Sequence, residues 1–295
     1  MKILVTGASG FIGSYCCSQL ALQGHEVHAV SSKHQQKEIF YWHKANLLDS
    51  EQTIKLMRDV QPTHLLHLAW YAEPGKYWTS TKNYHWVKAS LTLFEQFAEV
   101  GGKRIVAAGS CAEYDWDHEK YIEDITPKIP ITLYGSCKHS LHLMLSSFAA
   151  LNELSFAWGR VFSVYGPHEN SKRLFSSVIQ ALLRREIVKC KNAELMRDYL
   201  HVNDVASAFV TLLCNEVQGA VNIGSGSGIS LKNIVEKIER NIGNYGYLRL
   251  NEQSNDINSP RCIIADINLL KSTGWVPTFN IDTGLDDTIE WFKKN

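Results

Sequence analysis

Tyr134 and Lys138 stand four residues apart in a stretch from about Leu133 to Asn152 whose apolar spacing predicts a helix. Side chains at that spacing share one helix face, so a phenol and an ammonium can meet at one site. A neighbouring cation stabilises phenolate and lowers a tyrosine pKa from about 10 toward working pH. Tyr134 is thereby a candidate to deliver or take a proton at a carbonyl or carbinol oxygen. Ser110 follows an apolar run, Arg104-Ile105-Val106-Ala107-Ala108, and offers a hydroxyl that can hold the same oxygen. The C-terminal ends of strands are where open α/β sheets bind ligands. The third piece opens the chain: Gly7, Gly10 and Gly13 lie between the apolar run Ile3 to Val5 and an apolar-periodic segment beginning at Phe11. Strand, glycine turn and helix start are the setting of a dinucleotide site, here with the spacing G-x-x-G-x-x-G. One glycine permits the turn, one lets backbone approach a pyrophosphate, and one lets helix pack on strand. The free N–H groups of the helix start then face the di-anion.

These groups need a frame that brings strand ends together. After the first helix, Gln23-Gly24-His25 reads as a helix stop, Glu26 to Val30 as a second strand and Ile39 to His43 as a third. Asp49-Ser50-Glu51 starts a helix running to about Val60, and Thr63 to Leu68 is a fourth strand. A long helix over Lys82 to Val100 precedes the fifth strand, and Ser155 to Phe162 follows the Tyr134 helix as another. Alternating β and α units predict an α/β fold with a doubly wound parallel sheet and right-handed crossovers. Past Tyr165-Gly166-Pro167 the pattern loosens into helices near Leu174–Arg185, Asp204–Asn215, Leu231–Ile242 and Asp266–Thr273. The expected division is a dinucleotide-binding domain over 1–165 with a return at 196–224. A smaller mixed C-terminal substrate lobe would hold 166–195 and 225–295. Gly224-Ser225-Gly226-Ser227-Gly228 has phosphate-loop composition but reads as a plain turn before the next helix.

With 295 residues and 30 basic against 30 acidic side chains, the formal charge is zero, and no basic block with interleaved aromatics occurs. Nucleic acid is therefore not an expected partner. No apolar run approaches about 18 residues, and the N-terminus enters a strand directly, so neither a membrane span nor a signal peptide is expected. Seven cysteines without a C-x-x-C pair read as reduced thiols of a cytoplasmic protein. His139 and His142 lie one helical turn apart but lack a third ligand, so no metal is expected.

Taken in order, Thr6-Gly7-Ala8-Ser9-Gly10-Phe11-Ile12-Gly13, His67-Leu68-Ala69, Gly109-Ser110-Cys111-Ala112-Glu113-Tyr114, Tyr134 with Lys138, Tyr165-Gly166-Pro167 and Arg197 to Ala206 resemble the extended short-chain dehydrogenase/reductases of the nucleotide-sugar epimerase/dehydratase type. The resemblance covers nearly the whole chain and implies a Rossmann-type sheet. It implies Tyr134 as acid/base, Lys138 as its pKa modulator and a clamp on the nicotinamide ribose, and Ser110 as orienter of the substrate oxygen. Cofactor contacts would come from Gly7, Ser9, Gly10, Phe11, Ile12, Gly13, Ser31, Ser32, Lys33, Asn46, Leu47, Leu68, Ala69 and Trp70, with Tyr134 and Lys138. A nucleotide-sugar substrate would meet Tyr71, Cys111, Tyr165 and Arg197, with Arg173 and Arg261 as weaker matches. A homodimer through the two long helices is also implied.

Family members that dehydrate the sugar carry an Asp-Glu pair directly after the Ser/Thr, where this chain has Cys111 and Ala112. Hydride transfer alone remains. The favoured reading is reduction of a nucleotide-activated 4-keto-6-deoxyhexose. The alternatives are a 4-epimerase with tightly held NAD and a non-catalytic dinucleotide-binding regulatory protein. An acid at the end of the second strand would hold the ribose 2′-OH of NAD. Here stand Ser31, Ser32 and Lys33, which favour NADP(H) over NAD(H) and lean toward reduction. The aromatic stretch Trp70 to Trp78 either packs a deoxysugar and shields the nicotinamide or belongs to the core, while Tyr84 and Trp86 are expected to pack in the helix that follows.

Overall fold

The computed structural model describes residues 1–33, 39–252 and 260–295. Seven strands form the main sheet: β1 (Lys2–Thr6), β2 (Glu26–Ser31), β3 (Tyr41–Lys44), β4 (His64–His67), β5 (Arg104–Ser110), β6 (Ser155–Val161) and β7 (Gly219–Ile223). They lie in the order β7-β6-β5-β4-β1-β2-β3, every pair parallel. Parallel sheets are covered on both faces, and β1 shows it: Ile3, Leu4 and Val5 have no exposed surface. The helices α1 (Phe11–Leu22) and α6 (Val202–Cys214) contribute Cys16, Leu20, Val205 and Phe209 to the core on one face. On the other face α2 (Ser50–Val60), α3 (Lys82–Glu99) and α4 (Leu133–Leu151) bury Met57, Phe94, Phe97, Leu141 and Leu145. The expected doubly wound fold is present, and its strand order reverses between β1 and β4.

Local signals place the helices. Asp49 accepts from the N–H groups of Glu51 and Gln52 at the start of α2, and Thr132 accepts from Gly135 at the start of α4. The third strand begins at Tyr41 rather than Ile39, which is 75% exposed and lies in the turn before it.

Two elements lie beyond the expectations from sequence. Strand β7 adds the sheet's edge beside β6. The helix α9 (Ile281–Lys294) starts with a capping box in which Asn280 and Thr283 satisfy each other's backbone. Between α6 and α9 come α7 (Leu231–Ile242) and α8 (Asn268–Ser272), and α5 (Leu174–Leu183) precedes them. Helices α5, α7 and α9 build a separate buried cluster from Phe175, Ile179, Ile234, Ile238, Leu285 and Ile289. No described helix is long and apolar enough to cross a membrane.

Candidate active site

A cleft of about 490 Å³ opens over the C-terminal ends of β1, β2 and β4, the place where a reversal of strand order leaves a crevice. The turn after β1 forms its floor. A Cβ on Gly13 would lie 2.1 Å from the Gly7 carbonyl oxygen, so α1 can sit this close to the strand only with glycine there. Gly10 N–H donates to Gly7 O at 2.9 Å and shapes the turn. Gly7, Ser9, Gly10, Phe11, Ile12, Gly13, Ser31, Ser32, Asn46, Leu47, Leu68, Ala69 and Trp70 all line the cleft. Lys33 is exposed and is not part of the lining, its N–H donating to Ser31 Oγ at 3.2 Å. Trp86 packs against the core on its helix's side of the sheet and also reaches the cleft wall together with Ala108 and Arg173.

A buried hydrogen-bond chain ties β1 to β4 beneath this wall. Ser90 Oγ donates to Trp86 O at 2.7 Å, so it accepts from His67 Nε2 at 2.8 Å. His67 Nδ1 is then the acceptor for the Thr6 hydroxyl at 2.7 Å, which fixes the Nε2–H tautomer. Burial, reinforced by the Lys138 charge, pushes the His67 pKa down to about 3 and keeps the ring neutral. Thr6 Oγ1 in turn accepts from the N–H groups of Leu68 and Ala69, holding the loop after β4 in place.

Ser110 ends β5 and caps the short 3₁₀ turn of Cys111–Glu113, its Oγ accepting from Ala112 N at 3.2 Å. Helix α4 comes so close to this turn that a Cβ on Gly135 would lie 2.1 Å from Ala112 O. That approach sets Tyr134 beside Ser110. The rings of Tyr77 and Trp78 stand edge-on to Tyr134 at 4.8 and 5.7 Å. Lys138 is 4% exposed, donates to Ala108 O at 2.7 Å and lies 3.7 Å from the centre of the Trp70 ring.

Burial pushes the Tyr134 phenol above its ordinary value, while the Ser110 hydroxyl facing it and the charge of Arg173 pull the other way. Burial also pushes Lys138 itself down, to about 7, against the opposing pull of Glu113 and Cys137.

Of the substrate candidates, Arg173 precedes α5, lines the cleft and acts electrostatically on Tyr134. Cys111 adjoins Ser110, and burial lifts its thiol to about 12 despite the charge of Arg197. Such a thiol is a poor base but a serviceable wall. Arg197 donates to the carbonyl of Met196 at 2.8 Å. The two neighbouring aspartates are engaged elsewhere. Asp204 accepts from Thr278 and Phe279 N–H. Asp198 is filled by the glycine-rich turn, accepting from Ser225 N at 2.6 Å, Ser225 Oγ at 2.7 Å and Gly226 N at 3.0 Å. Tyr71 sits outside the cleft lining, bonded to Glu73 and covered by Lys82. For Tyr165 the structure corrects the expectation: at 1% exposure, stacked on Phe175, it belongs to the α5–α7–α9 core. Arg261 is exposed, beside the segment 253–259 that lies outside the described residues.

Glu113 has no role in the sequence reading, yet it carries a buried network. Its carboxylate accepts from Ser110 N, Trp158 Nε1 and Arg160 Nε at 2.8, 2.8 and 2.9 Å. Opposite charges in apolar surroundings, Glu113 just past one strand and Arg160 within another, were the signal available in the sequence. Glu113 also supplies the third donor that His139 and His142 lacked, all donor atoms lying within 4.8 Å of one another. The carboxylate already holds a guanidinium, whose charge opposes a divalent cation at the same place.

Residues 3–224 match the model of the NAD dependent epimerase/dehydratase family, and the chain belongs to that family. A UDP-glucose 4-epimerase of Rhizobium meliloti (strain 1021) is 25% identical over 325 residues, covering 99% of this chain and 97% of its own. A dTDP-6-deoxy-L-talose 4-dehydrogenase (NAD(+)) of Aggregatibacter actinomycetemcomitans is 28% identical over 251 residues, 80% of this chain and 89% of its own. The structure of a UDP-glucose 4-epimerase from Thermus thermophilus in complex with NAD superposes with a TM-score of 0.90, covers 99% of both chains at 22% identity, and shares the fold.

Proposed function

We propose that this chain is a nucleotide-sugar 4-epimerase that works with a bound nicotinamide dinucleotide. What carries the reading is Tyr134 facing Ser110 near a glycine-floored cleft, with Lys138 against Ala108 and Trp70 of its wall and no acid–base pair after Ser110. The cleft suits the cofactor: the Gly7–Gly13 approach leaves backbone, not side chain, facing a pyrophosphate. Gly7 to Gly13 would hold the diphosphate, Asn46 and Leu47 the adenine, and Leu68 to Trp70 with Lys138 the nicotinamide riboside. The cofactor's contribution is to accept hydride from the sugar C4 and return it. Tyr134, ionised for this step against the pull of burial, would take the proton from the C4 hydroxyl and give it back, while Ser110 holds that oxygen against the phenol. Arg173 and Arg197 neutralise the nucleotide diphosphate. Cys111 and Ala112 leave no group for removing water, so dehydration is not part of the reaction. The 25%-identical relative named as a 4-epimerase supports this ahead of net reduction.

One observation favours a second reading, reduction of a 4-keto-6-deoxy sugar nucleotide with NADPH. Ser31 and Ser32 line the cleft where an acid would hold the ribose 2′-OH of NAD. The 28%-identical relative is also named for 4-position redox chemistry on a deoxysugar, though with NAD(+) as its cofactor. Incubating the purified protein with UDP-glucose alone, and with a 4-keto-6-deoxy sugar nucleotide plus NADPH, and separating the products decides between them. Interconversion of two sugar nucleotides without added reduced cofactor supports the epimerase, and a stoichiometric demand for NADPH supports the reductase.

The proposal extends to assembly and layout. Residues 166–195 and 225–295 would close over the sugar nucleotide. Leu143 and Met144 on α4 are 54% and 38% exposed beside a groove shared with Leu91 of α3, and we place a homodimer contact there. Light scattering tests it.

A further inference from the structure

An ammonium has three N–H groups to satisfy. One of those on Lys138 goes to the Ala108 carbonyl at 2.7 Å. A second faces π density, because the Trp70 ring centre lies 3.7 Å from Nζ, well inside the range at which indole attracts a cation. The Trp158 ring stands farther off, at 6.0 Å. Trp70 does not rest there loosely. Its Nε1–H donates to Asn83 Oδ1 at 2.8 Å, and its ring stacks on Trp86 at 6.3 Å. Asn83 has no exposed surface and donates to the carbonyls of Tyr77 and Ser80, both at 2.8 Å. The amide that orients the indole thus also anchors the loop carrying Tyr77 and Trp78, the rings flanking Tyr134.

We propose that Trp70 is the positioning residue for Lys138: its indole face holds the charged ammonium at the Ala108 carbonyl and leaves one N–H for a ribose hydroxyl of the dinucleotide. This rests on the dinucleotide reading above. Sterically, a smaller residue would serve the cleft; electronically, it would leave a buried ammonium with a single acceptor. The other titratable groups around Lys138 are Glu113 and Cys137, which favour its charge, neutral His67, and Tyr134 on the same helix face. None replaces the ring, since none of these side chains is hydrogen-bonded to Nζ among the described residues.

The test uses the whole protein with NADH and NADPH as probes, binding followed by the nicotinamide fluorescence at a series of pH values. Wild type should lose affinity as pH rises through about 7 and Lys138 gives up its proton. Trp70→Leu should bind about tenfold more weakly near neutrality, and its loss of affinity should begin at lower pH. Trp70→Phe, with a weaker but intact π face, should fall between the two. Lys138→Met should show no such pH dependence. A pH midpoint that Leu and Phe leave unmoved assigns Trp70 to packing alone and overturns the proposal, as does tighter binding by Trp70→Leu. Should Trp70→Leu fail to fold, the midpoint of Trp70→Phe decides in the same sense. If wild type binds neither nucleotide at any pH, the dinucleotide reading falls and takes this inference with it; if wild type binds and the midpoint is fixed, only the inference falls.

Discussion

Glu113 and Arg160 form an ion pair of 2.9 Å with both side chains sealed from solvent. The same carboxylate accepts the Ser110 N–H, so the pair fixes the end of β5 where the candidate serine stands. Removing one partner leaves a buried charge uncompensated, at a cost of about 3–5 kcal/mol. Arg160→Met should lower stability by that order in urea titrations. Adding Glu113→Leu should recover part of the loss, because the stranded charge goes while Ser110 N and Trp158 Nε1 lose their acceptor.

Tyr134→Phe keeps the ring against Tyr77 and Trp78 and removes only the hydroxyl. Turnover of a sugar-nucleotide substrate should fall at least about a hundredfold, the scale of a positioned acid–base group. The melting temperature should stay within a degree or so of wild type. Turnover that survives the change removes Tyr134 from the chemistry.

Lys138 is held near pKa 7 by burial against an ordinary value of 10.5. Its charging penalty on the folded state is full below about pH 7 and disappears as pH rises toward the unfolded value. Lys138→Met should therefore raise thermal stability at pH 7 and below, with the gain shrinking between about pH 7 and 10. Melting curves across that window check the slope. A gain independent of pH would mean the lysine is not buried as charged.

Glu169, 7% exposed, has its carboxyl lifted to about 7 by burial, although the Ser176 hydroxyl and N–H both donate to it and pull it down. Its ionisation costs the folded state from about pH 4.5 upward, and the cost is complete above about 7. Glu169→Gln keeps an oxygen for Ser176, so it should stabilise the protein at about pH 8 and change little at about pH 4. Thermal unfolding at the two pH values is the measurement.

What could be read in the sequence was local. The turn after β1 needs three glycines within seven residues and a strand and helix on either side, all visible in order. Ser110 at a strand end and Tyr134 with Lys138 were legible for the same reason. Contacts that depend on which strands become neighbours were not. Thr6 meets His67 across 61 positions because β1 lies beside β4, and Glu113 meets Arg160 across 47 because β5 lies beside β6. Burial was equally hidden: nothing in the local spacing shows that Lys138 is 4% exposed or that Glu113 has no exposed surface. Tyr165 misled by company: its neighbours Gly166 and Pro167 suggested a ligand loop, while its ring went into the core. Helix α9 went unread, although Asn280, Thr283 and the spacing of Ile281, Leu285 and Ile289 carried its signal.

Two stretches of this chain have the composition of an anion cradle, and the N-terminal one lines the cleft over β1, β2 and β4. Asp198 supplies the glycine run at 224–228 with a permanent internal guest, so its amides are already quenched by the protein's own charge. Replacing that aspartate with an apolar residue would strand the N–H groups of Ser225, Gly226 and Ala265 without their acceptor.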